Sequence, residues 1–208
     1  SGMKATMLAY DQIMAGSASV MVAGGMESMS NAPHMLPKAR QGYRYGHFKA
    51  LDHMAFDGLE NAYDGKSMGV FADATAAKYG FTRQDQDAFA TESVRRAQKA
   101  VADGTFKAEI AGVTVAGKGG DTLLETDETP GLCRPDKIPS LRPAFGKDGT
   151  VTAASSSSIS DGAAALVLMK ESEAAAKGIK PLARIVGHAS NAHEPEWFTT
   201  APVGAIQK

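Results

Sequence analysis

The chain has 208 residues, 43% hydrophobic and 22% charged, with a formal net charge of −1. That length supports one large domain or two small ones with a proper core. The near-zero charge, with basic residues scattered along the chain, excludes bulk electrostatic attraction to nucleic acid or to an anionic membrane, so neither partner is expected.

The first segment places Met3, Met7, Tyr10 and Met14 on one helix face, which predicts a helix over 3–15 stopped by Gly16. Val20 to Ala23 reads as a short strand, and Gly24-Gly25 as a tight turn after it. From Glu27 to about Phe56 no period survives. Aromatic residues alternate with Pro33, Pro37, Gly42 and Gly46, which predicts an irregular but packed excursion. Ser67 to Tyr79 reads as a helix ending at Gly80. Thr82 reads as the N-cap of a long helix ending near Asp103-Gly104, with Asp85 early and Arg95, Arg96 and Lys99 late to complement its dipole. Residues 110–116 and 121–125 read as short strands, with the glycine-rich 117–120 as a hairpin turn; the proline-rich stretch from Thr129 to Pro143 reads as a loop.

Residues 150–169 read TVTAASSSSISDGAAALVLM. The apolar run from Ala163 to Met169 does not alternate, which predicts a strand buried on both faces. The five serines between Ser155 and Ser160 form a polar loop before it, rich in hydroxyls and backbone amides that could hold a phosphate, carboxylate or amide-bearing ligand. A short helix over 171–177, a stop at Gly178 and a strand over 182–186 follow, and a new segment begins after Pro202. The fold class is therefore α/β: layered α/β flanks around a mixed α+β insertion spanning about 29–150.

None of the usual catalytic patterns is complete. Cys133, the one cysteine, sits in PGLCRPD without a paired histidine and reads as an inert loop thiol. A single thiol makes no internal disulfide, which points to a reducing compartment and a cytoplasmic location. The five histidines lack metal-ligand spacing and read as structural or surface groups, so no metal site is expected. Asp161-Gly162 reads as a turn.

The motifs become specific together. SGMKA at 1–5, VAGGMESMSNAPH at 22–34, DGLENAYDGKSMG at 57–69, LRPAF at 141–145 and the serine-rich stretch at 150–169 resemble the thiolases, and within them the acetyl-CoA acetyltransferases, in collinear order from end to end. The resemblance implies a partial thiolase-like fold. Residues 1–28 would end the N-terminal domain and 29–150 would form an inserted loop domain over coenzyme A. Residues 151–178 would return to the N-terminal sheet, and 179–208 would start the C-terminal domain. It also implies that the chain is an excerpt of a longer enzyme. In the family, a nucleophilic cysteine precedes the SGMKA motif, and a histidine and a second cysteine follow much later; Cys133 matches none of these. No catalytic residue is therefore assigned.

The resemblance places coenzyme A contacts instead. Ser157 matches a serine that hydrogen-bonds the pantetheine arm, with Ala153 at a neighbouring contact. Phe145 matches an aromatic lining the cofactor cleft. Met68 and Leu59 match apolar residues along the acyl–pantetheine tunnel, for which core packing is the competing reading. Ser67 stands where some relatives carry a histidine beside the acyl group. Arg134 and Lys137 are the candidates for a charge that relatives supply near residues 129–137. Many thiolases read Gly-Asn-Ala-Ser where this chain has Ala154-Ser155-Ser156-Ser157. The implied reaction is reversible acyl transfer between acyl-CoA thioesters through a cysteine thioester, with coenzyme A thioesters as substrates, no other cofactor, and a homotetrameric assembly. A non-catalytic coenzyme A-binding or assembly module stays open as the rival.

Overall fold

The computed structural model describes residues 1–208. The chain divides into two compact units, Ser1–Met68 with Ser158–Lys208, and Gly69–Ser157. The expected domain limits at 28/29, 150/151 and 178/179 follow family architecture; the two seams of compactness fall at 68/69 and 157/158.

The first unit is built on helix α1 (Gly2–Met14) and a two-stranded antiparallel sheet of β1 (Val20–Glu27) and β6 (Gly162–Met169), registered from Val20 opposite Met169 to Glu27 opposite Gly162. Ala9 and Ile13 of α1 and Ala23 of β1 are buried. The helix ends at Gly16, whose φ of +78° is open to glycine at no steric cost.

Gly24-Gly25 does not turn the chain, as expected from the sequence, but continues β1. A Cβ on Gly24 would strike the backbone carbonyl of Ala164, and one on Gly25 would lie 3.2 Å from the Cα of Gly2. The pair is small because β6 and the start of α1 both close on it. The expected two-sided burial of β6 is also corrected: Leu166 is 55% and Val167 66% exposed. Only β1 pairs with β6, so much of its apolar surface has no covering layer within these residues.

The irregular excursion expected from Glu27 to about Phe56 is present and continues to residue 67. It holds single turns at Met29–Asn31 and Ala39–Gln41, a minimal pair of β2 (His34–Met35) with β3 (Leu51–Asp52), and one π-type turn at Met54–Leu59. Past β6 come α5 (Glu171–Ala176), a 3₁₀ segment at Pro195–Thr200 and α6 (Ala201–Gln207). The strand expected over 182–186 is absent; these residues find no ladder partner, and Ile185 instead lines a cavity of about 700 Å³ with Met3, Met7 and Tyr10. In the same unit His188 is structural: its Nε2 lies 2.8 Å from Asp11 Oδ1 and its ring meets Tyr10 edge-on.

The second unit packs around α2 (Met68–Tyr79, its first residue belonging to the other unit) and α3 (Arg83–Ala102). Its buried apolar residues are Phe71, Ala76, Ala90, Ile138 and Val151. Thr82 caps α3 as expected. Its hydroxyl accepts from the Asp85 amide at 3.1 Å, and Asp85 accepts from the Thr82 amide at 2.9 Å, a reciprocal capping box. The hairpin of β4 (Val113–Val115) and β5 (Thr122–Leu124) turns over 117–120, also as expected. The expected loop over 129–143 is a correction: it holds α4 (Glu128–Leu132) and a 3₁₀ segment at Pro135–Ser140. Proline breaks α-helical continuity but fits helix starts and tight 3₁₀ turns, which is how this stretch uses it.

Candidate coenzyme A site

The expected site residues fall into two sets, one in each unit. In the second unit, the 144–157 segment folds back on itself. The Ala144 amide donates to the Val151 carbonyl at 2.9 Å and the Gly149 amide to the Gly146 carbonyl at 3.1 Å, so Phe145 and the serine turn stand on adjacent arms. Asp73 of α2 fixes the return arm, its Oδ1 accepting from the amides of Thr150 at 2.8 Å and Val151 at 2.9 Å. Gln86 of α3 donates to the Thr150 hydroxyl at 2.8 Å. The Phe145 ring stands against Gly69, where any Cβ would overlap it.

The serine turn is less open than the sequence suggests. Thr152 is fully buried and caps the short turn Ala153–Ser155, its hydroxyl accepting from the Ala154 amide at 3.2 Å. Ser155 Oγ accepts from the Thr152 amide at 2.9 Å, and Ser156 Oγ donates to the Thr152 carbonyl at 2.7 Å. Two of the serines therefore serve the turn itself. Ser157 differs: it is exposed, and its hydroxyl is engaged by no neighbour in the chain. Ala153 is exposed on the same turn.

Arg134 and Lys137 lie on a strap of residues 128–145, in its 3₁₀ part. A 3₁₀ segment has three residues per turn, so residues three apart share a face. Pro135, Ile138 and Leu141 face inward, with Ile138 only 3% exposed, while Arg134, Lys137 and Ser140 are exposed. The two cations therefore share one outer face, a periodicity that sequence reading missed by treating the prolines as loop. Lys137 comes no closer than 3.8 Å to a carboxylate, that of Asp136, with both side chains solvated. Cys133 is half-buried, and its carbonyl accepts from Gln98 Nε2 at 3.0 Å, a structural position.

In the first unit, Leu59, Ser67 and Met68 gather at the base of a tight turn. Glu60 pairs with Ser67 in an isolated antiparallel bridge, and the Asn61 amide donates to the Lys66 carbonyl at 2.8 Å. Asp64 ties the tip, accepting from Asn61 Nδ2 at 2.7 Å and facing Lys66 Nζ at 2.8 Å. The Lys66 ammonium holds the Asp64 carboxyl below the usual carboxylate range. Leu59 and Met68 are 38% and 36% exposed within these residues.

One residue that sequence reading took for a turn does more. Asp161 accepts from the Ser30 amide at 2.9 Å, from the Ser30 hydroxyl, and from the Ser28 hydroxyl at 3.2 Å. Those bonds, with Ser30 foremost, lower its pKa. The signal lay in the hydroxyl-rich ESMSN stretch, whose partner is more than 130 residues away.

Comparison with known proteins meets this geometry. Residues 1–172 match the family profile "Thiolase, N-terminal domain". The whole chain aligns with an acetyl-CoA acetyltransferase of Schizosaccharomyces pombe at 48% identity, covering 53% of that protein, and with one of Chromobacterium violaceum at 46%, covering 54%. Among solved structures, acetyl-CoA acetyltransferase from Syntrophomonas wolfei aligns with all of this chain and 52% of its own, at TM-score 0.91 and 40% identity. Acat5 thiolase from Ascaris suum, solved in complex with coenzyme A, aligns with all of this chain and 53% of its own, at TM-score 0.90 and 38% identity. The chain thus spans about half the length of the relatives it matches, and its backbone is that half of a thiolase-like α/β fold. With sequence and backbone in agreement from end to end, the chain belongs to the thiolase family.

Proposed function

We propose that residues 1–208 serve an acetyl-CoA acetyltransferase as part of its coenzyme A-binding structure. The reaction joins two acetyl-CoA into acetoacetyl-CoA and coenzyme A, or runs in reverse as thiolysis of a 3-ketoacyl-CoA. A cysteine thiolate attacks the thioester carbonyl and expels the coenzyme A thiolate. The acyl group then leaves the cysteine for a second nucleophile, the acetyl-CoA carbanion in synthesis or coenzyme A in thiolysis. This acyl transfer changes no oxidation state, so coenzyme A thioesters suffice as substrates without a metal or redox cofactor. No residue of 1–208 is assigned the nucleophile, and Cys133 is not proposed for it.

The observation that carries the reading is the unengaged Ser157 hydroxyl, left outward by a turn that uses Ser155 and Ser156 internally and stands beside the Phe145 arm. Ser157 and Ala153 would meet the pantetheine arm, Phe145 its cleft, and Arg134 and Lys137 the phosphates. Leu59, Ser67 and Met68 would line the acyl–pantetheine tunnel. The 29–150 segment is read as the loop domain of the family. A homotetramer in the cytoplasm, acting in fatty acid metabolism, is the corresponding cellular reading. Its support is the family assignment and a single free cysteine. No helix is long and apolar enough to cross a membrane.

The test uses the full-length protein. Calorimetric titration with coenzyme A is expected to show binding, and Ser157→Ala to weaken it by about 1 kcal/mol, the size of one ordinary hydrogen bond. Unchanged affinity removes Ser157 from the site. Turnover of acetoacetyl-CoA with coenzyme A separates the acyltransferase from a non-catalytic coenzyme A-binding module.

A further inference from the structure

Arg83, at the first position of α3, reaches out of its helix to grip a segment more than 50 residues away. Its Nη2 donates to the carbonyls of Ile138 at 3.1 Å and Leu141 at 2.9 Å. Its Nε lies 2.8 Å from both carboxylate oxygens of Asp87, one helical turn on. Both side chains are largely shielded, at 22% and 11% exposure. Arg83 faces the strap, and Asp87 faces Arg83.

A largely buried ion pair is weak evidence of stabilisation, because desolvating both charges offsets their attraction, and a well-packed apolar pair often serves stability as well. What an apolar pair cannot do is direct hydrogen bonds at two chosen carbonyls. The strap needs such direction. Pro135, Pro139 and Pro143 lack amide hydrogens, so the segment cannot be pinned by a regular ladder. Ile138 plugs it into the unit and Gln98 holds the carbonyls of Pro130 and Cys133 just before Arg134, but neither engages the backbone of residues 138–141. Gripping the carbonyls of residues 138 and 141 fixes the 3₁₀ segment, and with it the face that carries Arg134 and Lys137. Arginine suits this role because its planar fork offers several donors in fixed geometry; a lysine ammonium could satisfy Asp87 but not the same set of carbonyls.

We propose that Arg83, seated on Asp87, is a positioning residue that locks the 134–145 part of the strap so that Arg134 and Lys137 meet the phosphates of coenzyme A. This rests on the coenzyme A reading above. The test compares the full-length protein with Arg83→Lys and with the double variant Arg83→Met/Asp87→Leu, which replaces the pair by apolar side chains and leaves no buried charge unpaired. Three quantities are read: cooperative thermal unfolding, amide hydrogen exchange over 134–145, and affinity for coenzyme A against pantetheine, which lacks the nucleotide and its phosphates.

The expected result is that both variants unfold cooperatively, exchange faster over 134–145, and bind coenzyme A about tenfold more weakly, while affinity for pantetheine changes by less than about twofold. A merely structural role would weaken both ligands alike, and that outcome overturns the proposal. Coenzyme A binding by the double variant equal to that of the unaltered protein overturns the clamp and leaves the coenzyme A site standing. Failure of the unaltered protein to bind coenzyme A overturns the site itself and the phosphate role with it. Unchanged exchange over 134–145 overturns the clamp whatever the ligand does.

Discussion

The β1–β6 ladder and the strap of residues 128–145 both have to satisfy backbone polar groups, and they do it by opposite means. In the ladder, each strand supplies the other's partners, and eight residue pairs keep one register from Val20–Met169 to Glu27–Gly162. Side chains matter there chiefly by being absent, as at Gly24 and Gly25. In the strap, partners come from side chains of the neighbouring helix: Arg83 holds the carbonyls of 138 and 141, and Gln98 those of Pro130 at 2.8 Å and Cys133 at 3.0 Å. The return arm that follows is held likewise by Asp73 and Gln86. A ladder tolerates most side chains and no displacement. A strap has no such register and is held in place by a few named side chains.

The largest effect separating the two is expected in the ladder. Gly24→Ala sets a methyl against the Ala164 carbonyl and 3.0 Å from the Ala165 Cα, both backbone, so the register itself must shift. It should cost about 3 kcal/mol in denaturant unfolding, the upper end of overpacking. Gly58→Ala, with open space around its Cβ, should be near neutral. Equal stability of the two variants would show that the β1–β6 approach is not as close as described.

A smaller effect is expected in the second unit. Asp73→Ala removes the acceptor of two amides beside the buried Val151 and should cost about 2 kcal/mol. It should raise hydrogen exchange at Thr150 and Val151 while leaving β1 and β6 protected. Exchange rising equally in the ladder would erase the distinction between the regions.

The smallest effect lies at the end of the ladder. Asp161 is exposed, and its bonds from Ser30 and Ser28 place its pKa below the ordinary 3.8. A lowered folded-state pKa means that its contribution is fully present above the unfolded value and is lost as pH falls through the folded one. Stability should therefore drop as pH falls below about 4, and Asp161→Asn should flatten that part of the profile. A profile of unchanged slope in Asp161→Asn would remove Asp161 as the tie between the 28–30 turn and β6.

The elements that were legible in the sequence are those whose determinants are local. The helical period of α1, the N-cap at Thr82 and the glycine at 80 each act within one or two turns of chain, and each element stands where its pattern places it, although α1 buries Ala9 and Ile13 while Met3 and Met14 of the methionine face are exposed. The misreadings share one cause. Gly24-Gly25 looks like a turn until Ala164 and Gly2 close on it, and 182–186 looks like a strand although no partner strand reaches it. The prolines of 129–143 look like loop until Ile138 is buried and Arg83 grips the backbone around it. Of the candidate site, the residues were named from motif resemblance. Which serine is left free was not legible, because Ser155, Ser156 and Ser157 are alike in sequence and differ only in what the buried Thr152 takes from them.

By itself, then, the sequence determined the family, the positions of α1, α2, α3 and α5, and the existence of a hydroxyl-rich turn before an apolar strand, because motif order, helical period and capping are written in neighbouring residues. Only the tertiary structure decided that Ser157 is the hydroxyl left outward, that Arg134 and Lys137 share one face, and that Arg83 and Asp73 hold the segments carrying them. The Arg83 and Asp73 grips span 55 and 78 residues of chain and have no signature in local pattern, while the free serine and the shared face turn on bonds three or four residues apart that form only once Thr152 and Ile138 are buried.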